Sequence, residues 1–136
     1  MICLDTNAVI AAIDTRVRAL RTRLEQAIAE EMVVGIPAIV LFEMWFGIKK
    51  SSRPLENAAA LATFLTLDIK PWPFEPEDAE EAADIRAALE RSGTPIGPYD
   101  VLIAAQARRR GALLVTANRR ELARVPGLRV EDWAAA

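Results

Sequence analysis

The sequence contains no histidine. That absence excludes a Ser-His-Asp triad, a Cys-His pair, a histidine general base and an imidazole zinc ligand. Its one cysteine, Cys3, excludes an internal disulfide and a cysteine-cluster metal site. No stretch reaches the ~18–20 unbroken apolar residues of a membrane span. The N-terminus does not read as a secretory signal either, because it lacks a basic start and Asp5 and Asp14 interrupt its apolar run. Together these absences make the cytoplasm the expected compartment. Any enzymatic chemistry must come from carboxylates, hydroxyls, amines or a bound ion.

What is present is a chain of 136 residues, enough for one domain with a real core. The hydrophobic fraction of 52% is high for so small a protein, which predicts surface buried against a copy or a partner. The formal net charge of −2 gives no overall attraction for nucleic acid, so such binding needs a local basic patch.

The order of elements is legible from periodicity. MICLD reads as a short buried strand, residues 16–31 as a helix, and MVVGIP as a second strand closed by Pro37. PAIVLFEMWFGIKK is an apolar helix with Pro37 at its start and Lys49 and Lys50 at its end, as the helix dipole favours. LENAAALATFL predicts another helix, and the prolines of LDIKPWPF suit an edge strand. An acid-started helix follows to Gly93, then a TPIGP loop, a helix from Pro98 to Gly111, the strand ALLVTAN, a short helix RRELARV and the terminal LRVEDW. Strands alternating with helices predict a doubly wound α/β sandwich, its parallel sheet covered on both faces.

Several polar residues sit oddly in this pattern. Asp5 ends the first strand, while Thr116 and Asn118 end ALLVTAN; ligands of an open parallel sheet bind outside those carboxyl ends. Asp5 has a second reading, as the cap of a helix beginning near Ala8. Glu43 is the only charge from Ile39 to Ile48, so it needs a cation, a proton or a strong donor unless it lies on a narrow wet stripe. Asp100, the only charge in YDVLIAAQA, occupies a first helical turn, where acids are also common for dipole reasons. If Asp5, Glu43 and Asp100 converge, each pair at about 4 Å repels by roughly 1–4 kcal/mol, so the cluster takes up protons or holds a cation. Oxygen ligands without histidine or thiolate select hard ions such as Mg²⁺ or Mn²⁺, which suit phosphate chemistry.

LDTN after the first strand, the glutamate of IPAIVLFEMWFG, the block GTPIGPYDVLIAAQA, then LLVTAN and VPGLRVEDW resemble the PIN-domain ribonucleases, and more narrowly the VapC toxins of bacterial VapBC toxin–antitoxin pairs. The resemblance spans essentially the whole chain. It implies a PIN-like α/β/α sandwich with a mainly parallel sheet of about five strands, a single domain over residues 1–133, and a frayed terminus at 134–136. Asp5, Glu43 and Asp100 match the family's acidic metal ligands, Thr6 and Asn7 the polar pair that orders the first acid, and Thr116 a hydroxyl near the metal or its water. Asn118 falls where many members carry a fourth acid, which implies one strong Mg²⁺ or Mn²⁺ site, any second ion arriving with substrate phosphate. The resemblance further implies RNA cleavage, homodimerisation and a cognate VapB-type antitoxin whose arginine enters the acidic pocket.

Arg119 and Arg120 adjoin Asn118 and are the candidate RNA contacts. Arg108, Arg109 and Arg110 read first as a dipole-complementing helix end, and Glu75 to Glu81 as a solvated helix start. Met44, Trp45 and Phe46 fit the core or, alternatively, a dimer face or antitoxin groove. Two rival functions stand beside the nuclease. An aspartate-nucleophile phosphotransferase wants a second acid where Asn7 stands. A catalytically inactive PIN-like module that binds RNA or protein would keep the fold without the ion.

Overall fold

The computed structural model describes residues 1–134. Its elements are β1 (Ile2–Leu4), α1 (Thr6–Ile13), α2 (Ala19–Ala29), β2 (Val34–Pro37), α3 (Ala38–Lys50), α4 (Pro54–Phe64), β3 (Lys70–Trp72), α5 (Pro76–Arg91), α6 (Pro98–Arg109), β4 (Leu113–Val115), α7 (Arg119–Leu122) and β5 (Val130–Glu131). The strands form one sheet in the order β3-β2-β1-β4-β5, and all four pairings are parallel. The expected parallel α/β sandwich is the one that forms.

Position in this order explains the composition of each strand. Central β1 is ICL, buried at every residue, as a strand covered on both faces must be. Pro71 sits in β3 at the sheet edge, where no further neighbour needs its missing N–H. Trp72 of β3 lies flat over Gly35 of β2, and a Cβ at Gly35 would run into the indole. Glycine here makes room for a neighbour's ring and does not serve a turn.

The N-terminal third differs from the sequence reading. The helix expected over residues 16–31 forms as α2, trimmed to Ala19–Ala29, and is preceded across a break by α1, which starts at Thr6, close to the Ala8 of the capping reading. The break is local chemistry: Asp14 Oδ1 accepts the Arg16 N–H at 2.9 Å, the side-chain turn by which aspartate competes with helix. At the other end, Ala134 donates its N–H to Asp132 Oδ1 at 2.9 Å, so of the terminus expected to fray, only residues 135 and 136 lie outside the described ones.

The three arginines ending α6 are spent on the fold. Asp78, fully buried in the first turn of α5, accepts from Arg109 Nε at 2.6 Å and Arg110 Nη1 at 2.9 Å, while Arg108 Nε pairs with Glu81 at 2.6 Å. Asp78 Oδ2 also accepts the Glu75 N–H at 2.9 Å, closing a capping box. Burial pushes the Asp78 carboxyl up, but the two guanidinium bonds outweigh it and hold the group at about 2. The run Glu75 to Glu81, read as solvated, is thus partly an inward clamp between α5 and α6.

Along α3, Met44 is buried whereas Phe42, Trp45 and Phe46 are 50%, 41% and 56% exposed. Lys49 and Lys50 reach over the Trp45 and Phe46 rings, and Tyr99 packs edge-on against Phe42. Of the two readings for this segment, core holds for Met44 alone.

Candidate active site

Asp5 leaves the carboxyl end of β1 with extended backbone and becomes the N-cap of α1, its Oδ1 accepting the Ala8 N–H at 2.8 Å. The capping role is therefore real, and it uses one carboxylate oxygen. The residue is 4% exposed. Burial raises its pKa, hydrogen bonds from the Thr116 hydroxyl and Ala8 N–H pull it back, and the Glu43 and Asp132 charges raise it again.

Glu43 sits half-buried on α3. The Thr6 hydroxyl donates to its Oε1 at 2.6 Å, the strong donor that an acid in an apolar segment requires. Thr6, expected to order Asp5, thus orders the second acid, whereas Asn7 is exposed in the first turn of α1. Of the apolar neighbours that make Glu43 conspicuous in sequence, Phe42, Trp45 and Phe46 face outward, while Val40, Met44 and Ile48 are buried.

Asp100 occupies the first turn of α6. Burial pushes its carboxyl up, the charges of Asp5, Glu43 and Glu121 add to that, and the group reaches about 6. Helix position alone would have lowered it, so burial, reinforced by the like charges around it, outweighs the dipole. Convergence of the three acids at one end of the sheet is expressed in these couplings.

Thr116 is buried at the end of β4, and its Oγ accepts the Asn118 N–H at 2.9 Å. Asn118 Nδ2 donates to Glu121 Oε2 at 3.1 Å. The amide at 118 therefore holds a carboxylate that lies one turn further on, and that carboxylate acts on Asp100. Neither Glu121 nor Asp132 was singled out in the sequence. Their signal was faint: Glu121 stands three residues past Asn118 and Asp132 just past β5, both among charged neighbours that hide them. Arg119 and Arg120 are exposed on α7, and Arg124 donates to the Pro95 carbonyl at 3.0 Å.

Among the described residues, no three acidic or thiol side chains are arranged to enclose an ion unaided. That donor set still fits Mg²⁺, which keeps several waters and takes one or two carboxylates with the rest from substrate phosphate. Asp5 and Asp100 are the pair whose affinity for protons is raised, by burial first and by neighbouring acids after it.

Asp5 after the first of five parallel strands, Glu43 on α3 and Asp100 opening α6 are the three acids on which the resemblance to PIN domains rests. The chain matches the PIN domain family over residues 2–128 and belongs to it. Within that family it is 38% identical over 130 residues to the tRNA(fMet)-specific endonuclease VapC of Salmonella typhimurium, covering 96% of each chain. It is 37% identical over 132 residues to the Shigella flexneri protein of the same name, again covering 96% of each. Among solved structures, VapBC2 of Rickettsia felis bound to a promoter DNA fragment superposes with a TM-score of 0.91 at 33% identity, covering 98% of this chain and 99% of that one. DNA-bound VapBC of Salmonella typhimurium gives 0.88 at 37% identity, covering 98% and 99%.

Proposed function

We propose that this chain is a metal-dependent endoribonuclease, the toxin of a toxin–antitoxin pair, built around Asp5, Glu43 and Asp100. The observation that supports the reading is the gathering of acids about Asp100: burial first, then the charges of Asp5, Glu43 and Glu121, raise its carboxyl to about 6. Such a group of charges is made for a cation. Bound there, Mg²⁺ or Mn²⁺ would polarise a phosphoryl oxygen and acidify the attacking water.

The chain's residues divide the remaining work. Asp5 and Asp100 hold the ion. Glu43, fixed by Thr6, orients the water and takes its proton. Thr116 steadies Asp5, and Asn118 steadies Glu121. Arg119 and Arg120 neutralise flanking phosphates. Water oxygen attacks phosphorus in line, the bond from phosphorus to O3′ breaks, the 3′-hydroxyl leaves with a proton, and the 5′-phosphate remains on the other fragment.

The relatives' names make initiator transfer RNA the first substrate to test. The solved complexes support a VapB-type antitoxin as partner and promoter DNA as a target of the pair. The exposed aromatic strip of α3 supports a homodimer. No helix among the described residues is long and apolar enough to cross a membrane, consistent with a cytoplasmic enzyme working on RNA.

The test is cleavage of labelled initiator tRNA, beside a mixed RNA pool, by antitoxin-free protein in Mg²⁺, Mn²⁺ or chelator. Metal-dependent cutting is expected, with Asp5→Asn and Asp100→Asn each reducing it by about 100-fold or more. Folded protein that neither cuts nor binds Mn²⁺ would leave only the inactive binding module.

A further inference from the structure

Gly97, the N-cap of α6, has φ −56° and ψ 146°, a conformation open to any L-residue and the one that Pro98 imposes on its predecessor. Its backbone therefore does not call for glycine. Nor does capping, because serine, aspartate and asparagine serve an N-cap better, and α6 has no side-chain cap bond. What calls for glycine is space. A Cβ built on Gly97 would stand 3.8 Å from Asp100 Cγ, an ordinary contact, but 3.2 Å from its Oδ2, tighter than most such contacts, so that the carboxylate would have to give by a few tenths of an ångström.

We propose that Gly97 is a positioning residue for the catalytic ion, its missing side chain leaving the slot into which the Asp100 carboxylate folds back. The surrounding loop gives the slot stiff walls. Pro95 and Pro98 restrict its backbone, the Thr94 N–H is tied to the Leu89 carbonyl at 2.9 Å, and Arg124 grips the Pro95 carbonyl at 3.0 Å. A methyl group at 97 therefore displaces the carboxylate more easily than the loop. The helix is sacrificing a better cap to keep one ligand oxygen in register.

This rests on the assignment of Asp100 as an ion ligand, and the experiment separates the two. Gly97→Ser improves the cap yet fills the slot, so its two effects have opposite signs. Calorimetric titration should show Mn²⁺ and Mg²⁺ affinity reduced about 10–100-fold, as for other residues that orient a ligand. Ca²⁺ affinity should fall much less, because Ca²⁺ tolerates irregular geometry and Mg²⁺ does not. A simple loss of structure would reduce all three alike. The contact itself is read by a stability cycle with Asp100→Ala. Adding Gly97→Ala should lower the melting temperature in the presence of the carboxylate, and lower it less once the carboxylate is gone. Wild-type protein that binds none of the ions overturns the ligand assignment and this inference with it. Wild-type binding unchanged by Gly97→Ser, or a cycle showing no coupling, overturns the inference alone.

Discussion

At the residue scale, the buried acids carry an electrostatic cost that a bound cation would offset. Asp100, raised from the ordinary carboxylate value to about 6, favours the fold when protonated. That contribution is complete below about pH 4 and is lost as pH rises through about 6. Metal-free Asp100→Asn should therefore melt higher than wild type at pH 7.5, by about 1–2 kcal/mol once solvent screening of a half-exposed group is allowed for. The gap should close near pH 4, which circular dichroism melts at the two pH values would check. Glu121→Gln makes a second test. Removing one repelling charge lowers the Asp100 pKa, so loss of Mn²⁺ affinity in that variant would have to come from Glu121's own pull on the ion; about a tenfold loss by calorimetry is expected. Sequence reading isolates Asp5, Glu43 and Asp100 because each interrupts an apolar segment. It passes over Glu121 and Asp132, whose neighbours are already charged, and no local pattern distinguishes them. It also assigns Thr6 to the wrong acid, since the bond to Glu43 spans 37 positions of chain.

At the element scale, the buried Asp78 clamp joins the first turn of α5 to the last of α6. Its depressed carboxyl, at about 2, stabilises the fold above the ordinary carboxylate range, and that stability is lost as pH falls from about 4 through about 2. Asp78→Asn should cost at least about 2 kcal/mol at pH 7, much less at pH 2, measured by urea unfolding across that range. The elements themselves were mostly legible. Prolines placed β3 at an edge, and continuous apolar residues marked β1 as buried, as its central place requires. The separate α1 was legible only as one of two readings of Asp5, because the same carboxylate suits both cap and site; the capping bond shows the first. The α6 arginines look like a generic helix end in sequence; that they face Asp78 across 31 and 32 positions is a tertiary fact.

At the scale of the molecule, the site binds together strands and helices that are far apart in sequence: Asp5 follows β1, Glu43 belongs to α3, and Asp100 opens α6. An ion held by Asp5 and Asp100, with Glu43 beside it, would link folding to metal. With Mg²⁺ or Mn²⁺ at about 100 times its dissociation constant, stabilisation should approach about 2.7 kcal/mol, seen as a rise of several degrees in the melting temperature. Asp5→Asn and Asp100→Asn should each abolish most of that rise while leaving the sheet intact by circular dichroism.

The central strand also carries its own clock. Cys3 lies completely buried in β1, paired with strands on both sides and two residues from Asp5. Burial pushes its thiol pKa far up, so the folded protein presents no thiolate to an alkylating reagent. Labelling then has to wait for the sheet to open, and its rate measures how often that happens. Because the same three-residue strand delivers Asp5, any ion or inhibitor seated at the site should slow that labelling, reporting occupancy through a residue that takes no part in the chemistry.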